Sequence, residues 1–296
     1  LCGSVSSFLV RKVVRSRALY GRIDQIFDLE PLGFPAVRHG FFSRRSVQEA
    51  LETYLVFGGV PKYLELFDDR YAPRLNLQAL CFKPGAFFLG EFDRLFVSHF
   101  GNKDRYWRIV QFLASRRFAT RAEIASHLGA GSGGQLSTSL EDLCLAGFAE
   151  AYGSIQNPGS THLRRYRIAD PFLRFHFRFI AAQRNRIAQS GEALPLHQAL
   201  PGKRYEIFLS LAFEHFCYRH ASAIARRLGF SAVAYEHGSW FRRADLSSGA
   251  QVDLLFKRAD RTLTLCEVKF RQNVGKETIP EVEQKVRALA VLGNYA

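Results

Sequence analysis

Gln251-Val252-Asp253-Leu254-Leu255-Phe256, followed after a charged turn by Leu263-Thr264-Leu265-Cys266-Glu267-Val268-Lys269-Phe270, is the stretch on which the reading of this chain turns. Both runs are short, apolar and bounded by polar residues, so each predicts a strand, and the turn between them predicts a hairpin. Strand side chains alternate between faces, which sets Glu267 and Lys269 on one side and lets the neighbouring strand present Asp253 beside them. Two carboxylates and an ammonium then converge. Hard oxygen ligands of this kind hold Mg²⁺, and the metal polarises a phosphodiester and lowers the pKa of a bound water. In that chemistry Lys269 orients the water or neutralises charge developing on the phosphate.

Working outward, a strand is predicted at 232–237 and a helix at 203–220, with a boundary near Pro201 marked by the Pro/Gly-bounded run 195–202. A last helix at 280–292 gives the order α-β-β-β-α, and Glu214 on the first helix can complete the acidic side. This arrangement resembles the PD-(D/E)XK nuclease superfamily, in which an Asp and a Glu-x-Lys on adjacent strands, with a Glu on the first helix, bind metal. The resemblance implies catalytic roles for Asp253, Glu267, Lys269 and Glu214, metal binding by Asp253, Glu267 and Glu214, and Mg²⁺ as cofactor. It also offers Gln284 and Lys285 as assisting residues on the final helix. Glu-x-Lys alone is unspecific, because charge alternation on a solvated strand produces it. Its combination with Val252-Asp253-Leu254 carries the signal, and Gln251 stands where related domains often have Glu.

Upstream, residues 105–114 have helical apolar spacing, and Thr120-Arg121-Ala122-Glu123 forms a capping box that opens a helix through Leu128. A Gly-rich turn at 129–134, a helix at 135–146 ended by Gly147, and strands at 148–152 and 164–168 complete a winged helix-turn-helix pattern. A three-helix bundle that only packs between neighbours is the alternative. Arg116, Arg117 and Arg121 flank the first two helices and Arg164, Arg165 and Arg167 lie on the wing, where they can contact phosphates. The helix at 135–146 carries Glu141 and Asp142, which weakens base readout and leaves protein packing open.

Towards the N-terminus, a short helix is predicted within 1–14, a strand within 23–32, and a helix, Gly-Gly break and second helix over 47–66. Residues 170–184 predict one dense aromatic helix. Taken together, Gly58-Gly59-Val60-Pro61-Lys62-Tyr63-Leu64, Asp170-Pro171-Phe172-Leu173-Arg174-Phe175 and Cys266-Glu267-Val268-Lys269 are similar to the archaeal-type ATPase family of the AAA/STAND lineage, over nearly the whole chain. The resemblance implies an α/β multidomain protein. Residues 1–103 then hold the end of the ATPase core and a helical lid, 104–169 the winged unit, 170–200 a connector and 201–296 the nuclease-like domain. It places Leu1-Cys2-Gly3-Ser4 at the end of a late ATPase strand. It matches Tyr20-Gly21-Arg22 to the family's Gly-Arg element, so that Arg22 either approaches a nucleotide phosphate or is an ordinary surface arginine. Val274-Gly275-Lys276-Glu277 lacks the glycine and hydroxyl of a phosphate-binding loop. ATP binding, and a homo-oligomer built through the ATPase part, therefore belong to a longer parent.

The chain of 296 residues has a net charge of +14, which favours a polyanionic partner and makes nucleic acid the leading candidate. Its five cysteines form no Cys-x-x-Cys pair, so neither a zinc knuckle nor a disulfide framework is indicated, and a reducing cytoplasm fits. No apolar run is long enough to span a bilayer, and no membrane role is expected. Starting at Leu1 and holding no Met, the sequence reads as a piece of a longer protein. Three functions follow: a nucleotide-driven switch on DNA or RNA, metal-dependent phosphodiester hydrolysis, or a non-catalytic module that binds nucleic acid or protein.

Overall fold

A computed structural model describes residues 22, 24, 25, 27, 29–101, 103–129, 134–156, 164–242, 250–271 and 273–289. The expected helix within 1–14, Leu1-Cys2-Gly3-Ser4 and Tyr20-Gly21 lie outside them. The protein is mixed α/β with two small antiparallel sheets. Contacts gather it into two units, Leu1–Ala151 with Arg165–Arg204, and Tyr152–Arg164 with Tyr205–Ala296.

In the first unit α1 (Phe34–Gly40) leads to α2 (Val47–Phe57), which opens on a Ser46/Glu49 capping box, and then to α3 (Pro61–Leu64). The Gly-Gly break between α2 and α3 has two separate causes. Gly58 ends α2 at φ 68°, a backbone state that L side chains rarely adopt. At Gly59 a Cβ would stand 1.8 Å from the Leu32 carbonyl oxygen, and Leu32 N–H donates to the Gly59 carbonyl at 2.8 Å. The strand expected within 23–32 is not found among the described residues. Among its described residues none is in a strand, and Leu32 lies against the glycine backbone. Two further helices, α4 (Pro73–Cys81) and α5 (Glu91–Phe100), follow where the sequence pattern predicted none.

Next come α6 (Asp104–Ala114), β1 (Ala119–Thr120), α7 (Arg121–Leu128), α8 (Gly134–Leu145), β2 (Ala149–Tyr152) and β3 (Arg165–Ile168), with sheet order β1-β3-β2. The Thr120/Glu123 capping box is present, and Gly129 and Gly147 take the positive φ that a helix C-terminus favours. Buried Ile109, Val110, Leu113, Ile124, Leu140 and Leu143 fill the space between the three helices.

The aromatic helix expected over 170–184 is continuous but changes geometry. Asp170 caps α9 (Pro171–Phe175), a π turn covers His176–Ile180, a 3₁₀ turn covers Ala181–Gln183, and α10 (Arg184–Gln189) follows, with the short α11 (Leu196–Ala199) beyond. Its first turn packs on the Gly-Gly segment. Phe57 stacks on Phe172 at 6.3 Å, Tyr63 meets Phe172 at 5.5 Å, and a Cβ on Gly58 would lie 3.3 Å from Pro171. Tyr63 donates to Glu91 at 2.9 Å, and burial pushes the phenol pKa up and keeps it protonated. His176 is 2% exposed among Phe92, Phe172 and Phe177, and burial pulls its pKa down to about 4.

In the second unit α12 (Gly202–Arg219) and α13 (Ala221–Arg227) precede β4 (Tyr235–Arg242), β5 (Ala250–Arg258), β6 (Leu263–Cys266) and α14 (Ile279–Leu289). The strands form one antiparallel sheet, β4-β5-β6. One cluster joins Leu254 and Phe256 to Phe230, Ala221 and Ala225; another joins Val252 and Leu255 to Trp240, Ile155 and Leu289. The strand predicted to run through Phe270 stops at Cys266, so Glu267 and Lys269 lie just past its end. Among the described residues no helix is long and apolar enough to cross a membrane.

Two expected outcomes follow. Gly59→Ala must displace the Leu32 backbone, and a loss of about 3 kcal/mol or more is expected in denaturant unfolding, the scale of severe backbone clashes. His176 titrates lower in the folded than in the unfolded chain, so its neutral form stabilises the fold above pH 6.5, and that contribution is lost as pH falls towards 4. The loss amounts to about 3 kcal/mol, and His176→Phe should flatten this part of a stability profile measured from pH 7 to 4.

Candidate active site

The site is built at one end of the second sheet by its register. β5 pairs with β6 as Leu254↔Cys266, Leu255↔Leu265, Phe256↔Thr264 and Lys257↔Leu263, and continuing that register one step past the end of β6 would set Asp253 opposite Glu267. Residues directly opposite in an antiparallel pair share a face. The Asp253 carboxylate accepts the backbone N–H of Val268 at 3.4 Å, taking a donor just beyond the end of β6. On the other edge, from Gly238↔Leu255 to Trp240↔Val252, β4 advances two residues and β5 three. Asp253 and Leu254 together therefore oppose Ser239, a β-bulge of the kind that re-aims a side chain at a sheet end. Ser239 Oγ donates to the Asp253 carbonyl at 3.1 Å. Gly238 admits the neighbouring chain, since a Cβ there would lie 3.0 Å from the Ile155 side chain.

Around Glu267 four charges close a ring. Its Oε1 is 2.9 Å from Lys269 Nζ and its Oε2 2.5 Å from Lys285 Nζ. Glu281 spans the same two ammoniums from the other side, at 3.1 Å to Lys269 and 3.2 Å to Lys285. The Glu267 side chain is 8% exposed and that of Glu281 44%. The bond to Glu267 holds Lys269 above its ordinary pKa against a smaller effect of burial. Burial pulls Lys285 down, but pairing with Glu267 and Glu281, and the charge of Asp253, outweigh it and leave it raised. Glu281 is held down at about 2, chiefly by Lys269. Lys285 thus responds first to Glu267, which it pairs with directly, and more weakly to the charge of Asp253.

The structure pairs Lys269 with Glu267 just past the end of β6, and Asp253 touches the same segment through the Val268 N–H. Glu214 is half-buried on α12. The neighbouring Cys217 thiol is pushed up to about 12 by burial, then by Cys266, Asp253 and Glu214, so both carboxylates are electrostatic neighbours of one thiol. Of the two assisting residues on the last helix, Lys285 reaches the site and Gln284 is exposed beside it. Glu281 escaped the sequence reading, although its i,i+4 spacing to Lys285 was a usable signal. Among the described residues no three His, Cys, Asp or Glu side chains gather closely enough to form a metal cage.

The arginines divide. Arg116, Arg117 and Arg164 are exposed; Arg116 lies over the Phe112 ring at 4.0 Å. Arg121 donates to Ser137 Oγ at 3.1 Å, and Arg165 covers the Phe118 ring at 3.8 Å. Arg167 is half-buried in an ion pair with Glu150, which occupies the charge that the sequence reading directed to a phosphate. Arg22 is exposed in an irregular segment.

The chain is similar to the uncharacterized protein MJECL04 of Methanocaldococcus jannaschii, with 24% identity over 273 residues, 92% of this chain and 59% of that protein. It therefore spans about three-fifths of that relative's length. No family model and no solved structure matches it.

The ring has a stability consequence. Glu267→Gln leaves two partly buried ammoniums without their inner partner, and a loss of about 3 kcal/mol is expected by denaturant unfolding. Glu281→Gln, near the surface, is expected to cost less than about 1 kcal/mol.

Proposed function

We propose that this chain is one portion of an archaeal-type ATPase, in which a winged helix and a nuclease-like domain act on nucleic acid. The nuclease-like part is read as a metal-dependent phosphodiesterase. The observation that carries this reading is the charged segment just past β6, where Asp253 accepts the Val268 N–H and Lys269 pairs with the Glu267 carboxylate. The order α12, α13, β4, β5, β6, α14, with Glu214 on the first helix, accords with the PD-(D/E)XK pattern apart from the added helix α13. The order α6, β1, α7, α8, β2, β3 with sheet order β1-β3-β2 accords with a winged helix-turn-helix. A net charge of +14 and exposed Arg116, Arg117 and Arg164 suit a polyanionic partner. ATP, and assembly through the ATPase part, belong on this reading to the longer parent, because the chain holds no phosphate-binding loop.

Asp253 and Glu267 are oxygen donors of the type Mg²⁺ takes, but no third carboxylate gathers with them among the described residues. When bound, such an ion supplies Lewis acidity and an activated water. Lys269, fixed between Glu267 and Glu281, keeps its proton and places a positive charge beside the carboxylates, where it offsets charge on a phosphate oxygen. Asp253 also ties down the Val268 backbone, so its carboxylate orients the segment that bears Glu267 and Lys269.

A second reading, a nucleic-acid-binding module without cleavage, is favoured by one observation: both Glu267 oxygens are held by lysines. Incubation of the purified chain with plasmid or single-stranded DNA and Mg²⁺ or Mn²⁺ separates the two. Cleavage lowered at least about 100-fold by both Asp253→Ala and Glu267→Ala is expected, the scale of losing one electrostatic stabiliser. Cleavage that persists in both variants removes these residues from the mechanism. Salt-sensitive binding with no cleavage selects the binding module.

A further inference from the structure

In the first unit Arg116, Arg117, Arg121 and Arg165 come from three different elements and surround the start of α7. Arg116 and Arg117 are exposed in the turn 115–118 between α6 and β1, Arg121 opens α7, and Arg165 stands on β3 opposite Thr120. Bonds from the Thr120 N–H at 2.6 Å and hydroxyl at 2.8 Å hold the Glu123 carboxyl below its usual range, and the charges of Arg116 and Arg165 lower it further. Both guanidiniums therefore lie near the capping box. Aromatic rings fix them there, Phe112 under Arg116 at 4.0 Å and Phe118 under Arg165 at 3.8 Å. Stacking uses the face of a guanidinium, whereas phosphate oxygens bind its in-plane N–H edge, so one arginine can do both. Arg167 differs, because its charge is spent on Glu150.

The helix that would read bases is built otherwise. Gln135, Ser137, Thr138 and Glu141 are the exposed side chains of α8, none of them cationic and one of them an acid. A helix laid in the major groove passes between two rows of phosphates, which a carboxylate without a neighbouring cation of its own helix opposes. We propose that the winged unit docks on a nucleic-acid duplex through Arg116, Arg117, Arg121 and Arg165, reading the phosphate backbone and not the bases. A duplex suits this face better than a single strand, because unpaired bases need open rings to stack on. Phe112 is already covered by Arg116 and by the His127 ring at 4.2 Å, and Phe118 by Arg165. Arg121 extends the face towards α8 through its 3.1 Å bond to Ser137. The carboxylates on α7 and α8 are Glu123, engaged in the capping box, Glu141, one turn along from Ser137, and Asp142, which takes the Tyr106 hydroxyl at 2.7 Å. The inference rests on nucleic acid as the partner, and it adds the face and the mode of contact.

Binding of the purified chain to short labelled DNA duplexes of two unrelated sequences, followed by fluorescence anisotropy in EDTA between about 50 and 200 mM salt, tests the docking apart from any cleavage. Arg116→Gln and Arg117→Gln should each weaken binding about eightfold near 100 mM salt, equally for both sequences, and lower the slope of log K against log salt by about one. Arg116→Lys keeps the charge and should keep the slope, which guards against simple misfolding. Arg70→Gln, in an exposed ion pair outside the winged elements, and the double variant Gln135→Ala with Thr138→Ala on α8 should each change affinity less than about twofold. If the unmodified chain binds and Arg116→Gln and Arg117→Gln lose no more than Arg70→Gln, the docking face is wrong while nucleic acid stands as the partner. The same holds if the α8 variant costs more than they do and only for one sequence, or if single-stranded DNA is bound in preference to duplex. If the unmodified chain binds neither duplex nor single-stranded DNA, the nucleic-acid assignment itself falls, and the docking face with it.

Discussion

The antiparallel register of β5 on β6 is the constraint from which the rest of the second unit follows. A slip of one residue would carry Asp253 away from Glu267 and send Leu254 and Leu255 to the wrong faces. Apolar residues on both faces resist that slip, with Leu254 and Phe256 packed towards Phe230, and Leu255 packed with Trp240 and Leu289. Because register is held by burial on two sides, the polar pair at the end of the ladder is fixed without needing to stabilise itself. The bulge, in which Asp253 and Leu254 together oppose Ser239, adds local twist at the point where β5 carries Asp253.

A nearly buried carboxylate has to be compensated, and the protein meets that demand in two ways. In the first unit Glu91 receives the Tyr63 hydroxyl at 2.9 Å and pairs with Arg94 at 2.7 Å, so one neutral donor and one cation share it. Glu267 has two ammoniums and an outer glutamate behind them. The first arrangement locks an aromatic core. The second shares each lysine between two acceptors, nearly evenly for Lys269 at 2.9 and 3.1 Å and unevenly for Lys285 at 2.5 and 3.2 Å.

Much of this was legible in the sequence, and the failures have physical causes. Asp253, Glu267 and Lys269 were readable because apolar flanks define strands and a short turn defines their pairing. Thr120 and Glu123 were readable because a capping box is a local interaction that no tertiary contact has to supply. The strand expected within 23–32 does not form among the described residues of that segment, and strand spacing alone says nothing about whether a partner strand exists. The aromatic helix from Asp170 was placed correctly, but its π turn begins at His176, which packs on Phe92 from elsewhere in the chain, a contact that local spacing does not show. Glu281 was passed over because its partner Lys269 lies twelve residues away in sequence, and only the return of α14 onto the sheet end brings them together.

The three stretches that carried the family resemblance are not equivalent once their contacts are known. Gly58–Leu64 and Asp170–Phe175 pack on one another: Gly58 makes room for Pro171, and Phe57 and Tyr63 meet Phe172. Gly59 in turn admits the backbone of Leu32. Their residue types follow from close packing, and any sequence with the same fold needs them whatever it does. Cys266–Lys269 is different, because no packing demand requires Glu267 to sit 8% exposed between two lysines when an apolar residue would cost less there. A charge kept where burial opposes it is the feature that calls for a functional reason. On that ground the weight of the functional argument belongs on the end of the β5–β6 hairpin, and the Gly-Gly and Asp-Pro-Phe stretches count as evidence of fold alone.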